Sequence, residues 1–166
     1  SRNFKEKRGY CSRVCCRYAL RIAEDLAFQY PHLQIDMYYM DLQLLGGKKE
    51  LLAEISEKRV RLIRHMPYRV ESPNGKPILL FEDDQKVNRV EYDAVILSVG
   101  MTPNPGTKLV ADILRVNRDD TGFIKDYGDG ATSQENIFVC GAASGAKDIE
   151  TTISDGKKVA QRILSV

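Results

Sequence analysis

Three of the four cysteines fall in one short run, Cys11-Ser12-Arg13-Val14-Cys15-Cys16. On a helix, Cys11 and Cys15 stand at i and i+4 and share a face, while Cys16 is turned by about 100° from Cys15. Three thiolates from little more than one turn can then converge on one small body. A cubane iron–sulfur cluster is several ångströms across and takes ligands from diverging directions, so an adjacent Cys-Cys pair suits it. Arg13, Arg17 and a helix N-terminus would offset the negative charge of thiolates and cluster. Such clusters normally take four Cys ligands, and three are at hand. Cys140 is a poor fourth, because it ends a distant apolar run where a lone Cys acts as a small hydrophobe. Structural zinc sites favour paired Cys-x2–4-Cys spacings, which C-x3-C-C matches poorly. Zinc and inert core cysteines nevertheless stay open beside the iron–sulfur reading.

Two further segments could do chemistry together. Ala94–Val99 is a continuous apolar run ending in Gly100, and Pro103 stiffens the exit. Ile137–Cys140 is a second apolar run, followed by Gly141-Ala142 and then a helix beginning near Glu150. A strand, a glycine turn and a helix N-terminus aimed at one place form a cradle for a phosphate or a flavin edge. Thr151 and Thr152 are expected to cap that helix and present N–H donors. His32 and His65 are isolated, and neither is expected to be a ligand.

Alternating helices and buried strands must position these groups. Helical spacing runs from Tyr10 to Tyr30, where Pro31 stops it. Ile35–Met40 reads as a strand, Lys48–Lys58 as a second amphipathic helix, and Val60–Ile63 as a strand that continues towards Val70. Ser72-Pro73-Asn74-Gly75 is a turn. Pro77–Glu82 and Val87–Tyr92 flank Asp83-Asp84-Gln85 as a hairpin would. Ala94–Val99 and Ile137–Cys140 read as strands buried on both faces, and Gly122–Lys125 as a short strand. The final helix spans about Glu150–Leu164. This alternation implies a Rossmann-like doubly wound α/β sheet with a β-meander. Its first helix arrives without the strand that should feed it, so the sequence is expected to be a fragment lacking that first strand.

The bulk numbers narrow the function classes. The chain has 166 residues, 43% hydrophobic and 29% charged, with 25 Lys+Arg against 23 Asp+Glu. A formal charge of +2 gives no argument for nucleic acid or an anionic membrane. No apolar stretch approaches the roughly 20 residues that span a bilayer, and no signal peptide is evident. Cysteines in a chain read as cytoplasmic favour metal or redox use over disulfides.

Tyr10–Cys16 (YCSRVCC) with Tyr18-Ala19-Leu20 after it, Tyr39-Met40-Asp41, Leu97–Thr107 (LSVGMTPNPGT), Phe138–Ile149 (FVCGAASGAKDI) and Thr152–Gly156 (TISDG) resemble the A-subunit of heterodisulfide reductase and its iron–sulfur flavoprotein relatives. The likeness covers essentially the whole chain. It implies the fold of thioredoxin reductase-like, pyridine nucleotide-disulfide oxidoreductase flavoproteins, with the nicotinamide subdomain given over to a cluster. Residues 1–117 would form that cluster-bearing region and 118–166 the C-terminal part of the FAD-binding domain. The resemblance implies that Cys11, Cys15 and Cys16 hold a [4Fe–4S] cluster with a Cys from a CVGSR-like segment upstream, of which Ser1-Arg2 looks like the end. It also implies that Gly100, Gly141, Ala142, Thr151, Thr152 and Ile153 line one side of FAD. Simpler flavoenzymes of this fold read Gly-Asp where this chain has Gly141-Ala142, which leaves those flavin contacts to backbone groups. The G-x-G-x-x-G turn that grips the FAD phosphates is not in the chain. Electron transfer with other redox subunits is the activity implied, with no residue acting as acid or base. An NAD(P)H-dependent disulfide reductase would need a Cys-x-x-Cys pair and a glycine-rich nucleotide turn, and the chain has neither. A non-catalytic zinc or interaction module is the remaining alternative.

Overall fold

The computed structural model describes residues 9–43 and 60–165. The helix expected over Lys48–Lys58 lies outside the described residues. The chain divides into two compact units, one of residues 1–15 and 99–166, the other of residues 16–98. The expected division after Asn117 falls inside the first of these.

In the unit of residues 16–98, helix α1 (Cys15–Gln29, whose first residue belongs to the other unit) packs beside strands β1 (Ile35–Tyr38) and β2 (Val60–Ile63). These strands pair in parallel, with Ile35 opposite Val60 and Tyr38 opposite Ile63. Parallel neighbours cannot be joined by a tight turn. The core here is Leu20, Ala23 and Val60, with Cys16, Ala27, Ile35, Met37 and Leu62 packed around it. Leu20 is wholly buried, which is why the 3.6-residue period of this helix is legible in the sequence.

Strands β3 (Arg69–Glu71), β4 (Ile78–Asp83) and β5 (Lys86–Glu91) form an antiparallel sheet in the order β3-β4-β5. Asp84 and Gln85 both take positive φ, 44° and 63°. A two-residue turn of this hand matches the twist of a hairpin. A side-chain bond from Tyr92, just after β5, ties the antiparallel sheet to Asp36 of β1. Arg61 donates to both carboxylate oxygens of Asp36, at 2.9 and 2.6 Å, and the Tyr92 hydroxyl donates to the same carboxylate at 2.6 Å. Burial pushes the Asp36 carboxyl up, but these bonds outweigh it and hold it below the usual carboxylate range.

In the other unit, α2 (Gly106–Leu114) is a helix that the Pro-rich sequence before it conceals. It ends at Arg115, whose left-handed φ of 56° turns its N–H back onto Ala111 and Asp112 carbonyls. Ala111, Val116, Ile124 and Val139 form the core of this unit, with Ile137 against them. A short 3-10 turn (Gly141–Ala143) leads to α3 (Ile149–Leu164).

Three expected strands are not found. Gly122–Lys125 and Ile137–Cys140 contribute only single bridges, Arg118 with Ile124 and Ala131 with Phe138. Ala94–Val99 pairs with no strand among the described residues, and Ile96, Leu97 and Val99 are exposed. A strand is defined by its ladder partners, and an apolar run alone supplies none. Among the described residues there is accordingly an α/β fold with one small parallel and one small antiparallel sheet.

Candidate redox site

The helix that carries the cysteines begins at Cys15, not at Tyr10. Arg13 has a φ of 64°, which no α-helix accommodates. Cys11 therefore does not share a helical face with Cys15, and the i, i+4 expectation is corrected. A local turn places it instead: the Arg13 N–H donates to Cys11 Sγ at 3.3 Å, and the Val14 N–H donates to the Ser12 carbonyl at 2.8 Å.

Cys15 and Cys16 become the first two residues of α1, at the positive end of the helix dipole. Cys15 is buried, while Cys11 and Cys16 are part-buried. The Cys16 thiol is directed at the Asp41 carbonyl, 3.8 Å away. Among the described residues, no three His, Cys, Asp or Glu side chains are gathered closely enough to hold one metal ion. The donor chemistry and the N–H on Cys11 Sγ fit a thiolate-ligated metal. Cys140 is exposed, beyond the start of its bridge segment.

The segments expected to form a flavin-type cradle lie within the unit of residues 1–15 and 99–166. Gly141 has a φ of 62°, and a Cβ there would meet Thr152 Cγ2 at 2.8 Å. The glycine turn and the first turn of α3 are therefore in direct contact. The cap of α3 is Asp148, not a threonine: its carboxylate accepts from the Thr151 N–H at 2.8 Å and its carbonyl from the Thr152 N–H at 2.9 Å. Both amides expected to face a ligand are used internally. A threonine inside the first turn is too late to cap it. The donors left at this terminus, among the described hydrogen bonds, are the Ile149 and Glu150 amides. Ile153 is exposed, and so is Ala142. Lys147 braces the loop, donating to Ser144 Oγ at 2.7 Å and pairing with Asp155. Asp148→Ala should cost about 1 kcal/mol, read as a lower thermal midpoint and as faster hydrogen exchange at the Thr151 amide.

Gly100 sits one residue before a close contact that sequence reasoning misses. Met101 is gripped through its backbone by Tyr10 and Ser12. The type of Ser12 gives no signal, since a serine between cysteines reads as a polar spacer. A cavity of about 360 Å³ lies further on, lined by Thr102, Asn104, Lys108, Arg118 and Thr121 among others, and it includes none of the expected site residues.

No family profile matches the chain. The iron–sulfur A-subunit, form 2, of CoB–CoM heterodisulfide reductase from Methanopyrus kandleri is 36% identical over 163 residues, which is 92% of this chain. The chain is homologous to a segment of the heterodisulfide reductase A-subunit. The corresponding polypeptide of the ferredoxin:CoB–CoM heterodisulfide reductase of Methanosarcina acetivorans is 35% identical over 95% of this chain. The chain spans 25% and 21% of these two relatives. Among solved structures, the flavoprotein disulfide reductase RclA of Escherichia coli matches with a TM-score of 0.67 at 14% identity, covering 87% of this chain and 33% of that one. Thioredoxin reductase of T. acidophilum matches at 0.63 and 17% identity, covering 86% and 48%. The thioredoxin reductase-like fold expected from the heterodisulfide reductase motifs is the fold found. No helix of the described residues is long and apolar enough to cross a membrane.

Proposed function

We propose that this chain, like the heterodisulfide reductase polypeptides it matches, is part of a cytoplasmic electron-transfer oxidoreductase that uses an iron–sulfur cluster and FAD. Cys11, Cys15 and Cys16 supply three thiolates to a [4Fe–4S] cluster, with a further cysteine outside this sequence as the fourth ligand. Residues 1–117 form the cluster-bearing region. Residues 118–166 form the C-terminal part of an FAD-binding domain within a Rossmann-like doubly wound arrangement. Gly100, Gly141, Ala142, Thr151, Thr152 and Ile153 line one side of the flavin. The partners are other redox subunits of a heterodisulfide reductase-like complex.

The observation that carries this reading is the surroundings of the thiols: an N–H on Cys11 Sγ, and a helix N-terminus beginning with Cys15-Cys16. Backbone N–H donors on sulfur and a helix N-terminus are surroundings that suit a metal-bound, negatively charged sulfur. The cluster, when bound, supplies one-electron chemistry whose potential follows from sulfur hydrogen bonds and burial. The chain's own part is placement. Arg13 holds Cys11 Sγ through its amide, Asp148 orders the first turn of α3, and Gly141 lets that turn approach the Cys140–Ala143 segment.

The test uses two polypeptides, the 166-residue chain and one extended to the length of its relatives, both prepared without oxygen. The extended protein is expected to retain FAD and to show a cluster EPR signal on reduction, while the shorter one holds FAD weakly. Tight stoichiometric FAD retention by the 166-residue chain would contradict the placement of the binding elements. Zinc without iron in the extended protein would contradict the cluster.

A further inference from the structure

Ser12 is the one buried polar side chain among the described residues, at 1% exposure. Its Oγ accepts from the Met101 N–H at 2.9 Å, across 89 positions of sequence. Tyr10, two residues earlier, donates its hydroxyl to the Met101 carbonyl at 2.9 Å. Both backbone groups of one residue are thus satisfied by side chains from one short segment. In a sheet a neighbouring strand would do this; here two side chains replace it. The Tyr10 ring is itself held, edge-on to buried Phe123 with centroids 5.8 Å apart. Cys11 lies between the two gripping residues, and Gly100 directly precedes the gripped one.

We propose that Tyr10 and Ser12 are positioning residues that fasten the Cys11 turn to the Gly100–Met101 backbone, so that the metal-ligand segment and the flavin-side segment move as one body. The proposal rests on the cluster-and-flavin reading above. Its physical basis is the cost of release. Freeing Met101 breaks two hydrogen bonds of about 1 kcal/mol each and strands the Ser12 hydroxyl in a buried site. A ligand loop tethered at both flanks of its cysteine keeps its Sγ in register when that thiolate gains or loses a metal bond. It also gives a short, hydrogen-bonded link through which a change at Cys11 is felt at Gly100.

The test compares Ser12→Ala, Ser12→Thr and Tyr10→Phe in the extended protein, reconstituted anaerobically with iron and sulfide. The readouts are Met101 amide hydrogen exchange, the reduction potential of the cluster, and its EPR line shape. Ser12→Ala is expected to speed Met101 exchange about fivefold, as loss of one such bond implies, and to shift both the potential and the line shape. Ser12→Thr, which keeps the hydroxyl, should restore all three. Tyr10→Phe keeps the ring against Phe123 and should produce a smaller change in the same direction, and it serves if Ser12→Ala does not fold. A Ser12→Ala protein whose Met101 exchange, potential and line shape all equal those of wild type would overturn the proposal. So would faster exchange with no change in either redox readout, because Ser12 would then be a structural clamp only. Failure of the wild-type protein to assemble any cluster is a separate outcome. It would overturn the site reading, and with it the redox role given to Tyr10 and Ser12.

Discussion

Replacing Gly130 by Ala should destabilise the unit of residues 1–15 and 99–166 by about 3 kcal/mol, the sum of a left-handed backbone cost and steric overlap. Gly130 has a φ of 79°, and a Cβ there would run into Val159 Cγ2 and lie 2.7 Å from the Val139 carbonyl oxygen. Neither neighbour can yield cheaply. Val159 is a buried residue of α3, and the Val139 N–H is already bonded to the Gly130 carbonyl at 2.8 Å. Val139 belongs to the core beside the Gly141–Ala143 turn, so the damage falls on the segment proposed to face the flavin. For a unit of this size the thermal midpoint should fall by roughly 10–20 °C. Gly128 provides the control. It also has a positive φ, 119°, but a Cβ there meets nothing within 4 Å. Gly128→Ala should show the backbone cost without the overlap, and calorimetry on the pair separates the two. Equal midpoints for both variants would mean that the contact of Gly130 with α3 does not form.

Cys15→Ser should abolish cluster assembly while leaving the fold in place. Serine is close in size and can occupy the first position of α1, where a hydroxyl is well tolerated. It offers iron a hard, weakly acidic oxygen in place of a soft thiolate. Of the three cysteines in the run, Cys15 is the buried one, so its loss is not compensated by solvent. Iron bound at the CSRVCC site of the extended protein should drop at least tenfold after anaerobic reconstitution. Cys140→Ser, at an exposed position outside the run, should keep wild-type iron. A Cys15→Ser protein with full iron and an unchanged EPR signal would remove Cys15 from the ligand set.

What is legible in the sequence follows from how local its causes are. Helix α1 and strands β1 and β2 are readable because their apolar residues face one core through Leu20 and Val60. The β4–β5 hairpin is readable because its turn chemistry is local. Helix α2 is hidden by Pro103 and Pro105, which read as a connection although Pro is well placed before a helix. The strands expected at Ala94–Val99 and Ile137–Cys140 fail because strand status depends on partners elsewhere in the chain. The start of α1 is displaced by the left-handed Arg13, a conformation that an Arg gives no reason to expect. Within the site, the cysteine run and the Gly141 turn are visible from residue type alone. The threonines draw attention away from Asp148, although an Asp before Ile149 is a standard cap. The grip of Tyr10 and Ser12 on Met101 spans some 90 residues of sequence, and no local pattern can announce it.

The proposed role of CSRVCC is to provide thiolate ligands to an iron–sulfur cluster. The most direct measurement is iron, acid-labile sulfide and zinc per polypeptide, with Mössbauer spectroscopy, on the extended protein purified without oxygen. About four iron and four sulfide per CSRVCC site, allowing for any other clusters by subtraction of the Cys15→Ser variant, is the result expected for a cubane. Zinc in that difference, or no metal at all, would contradict it.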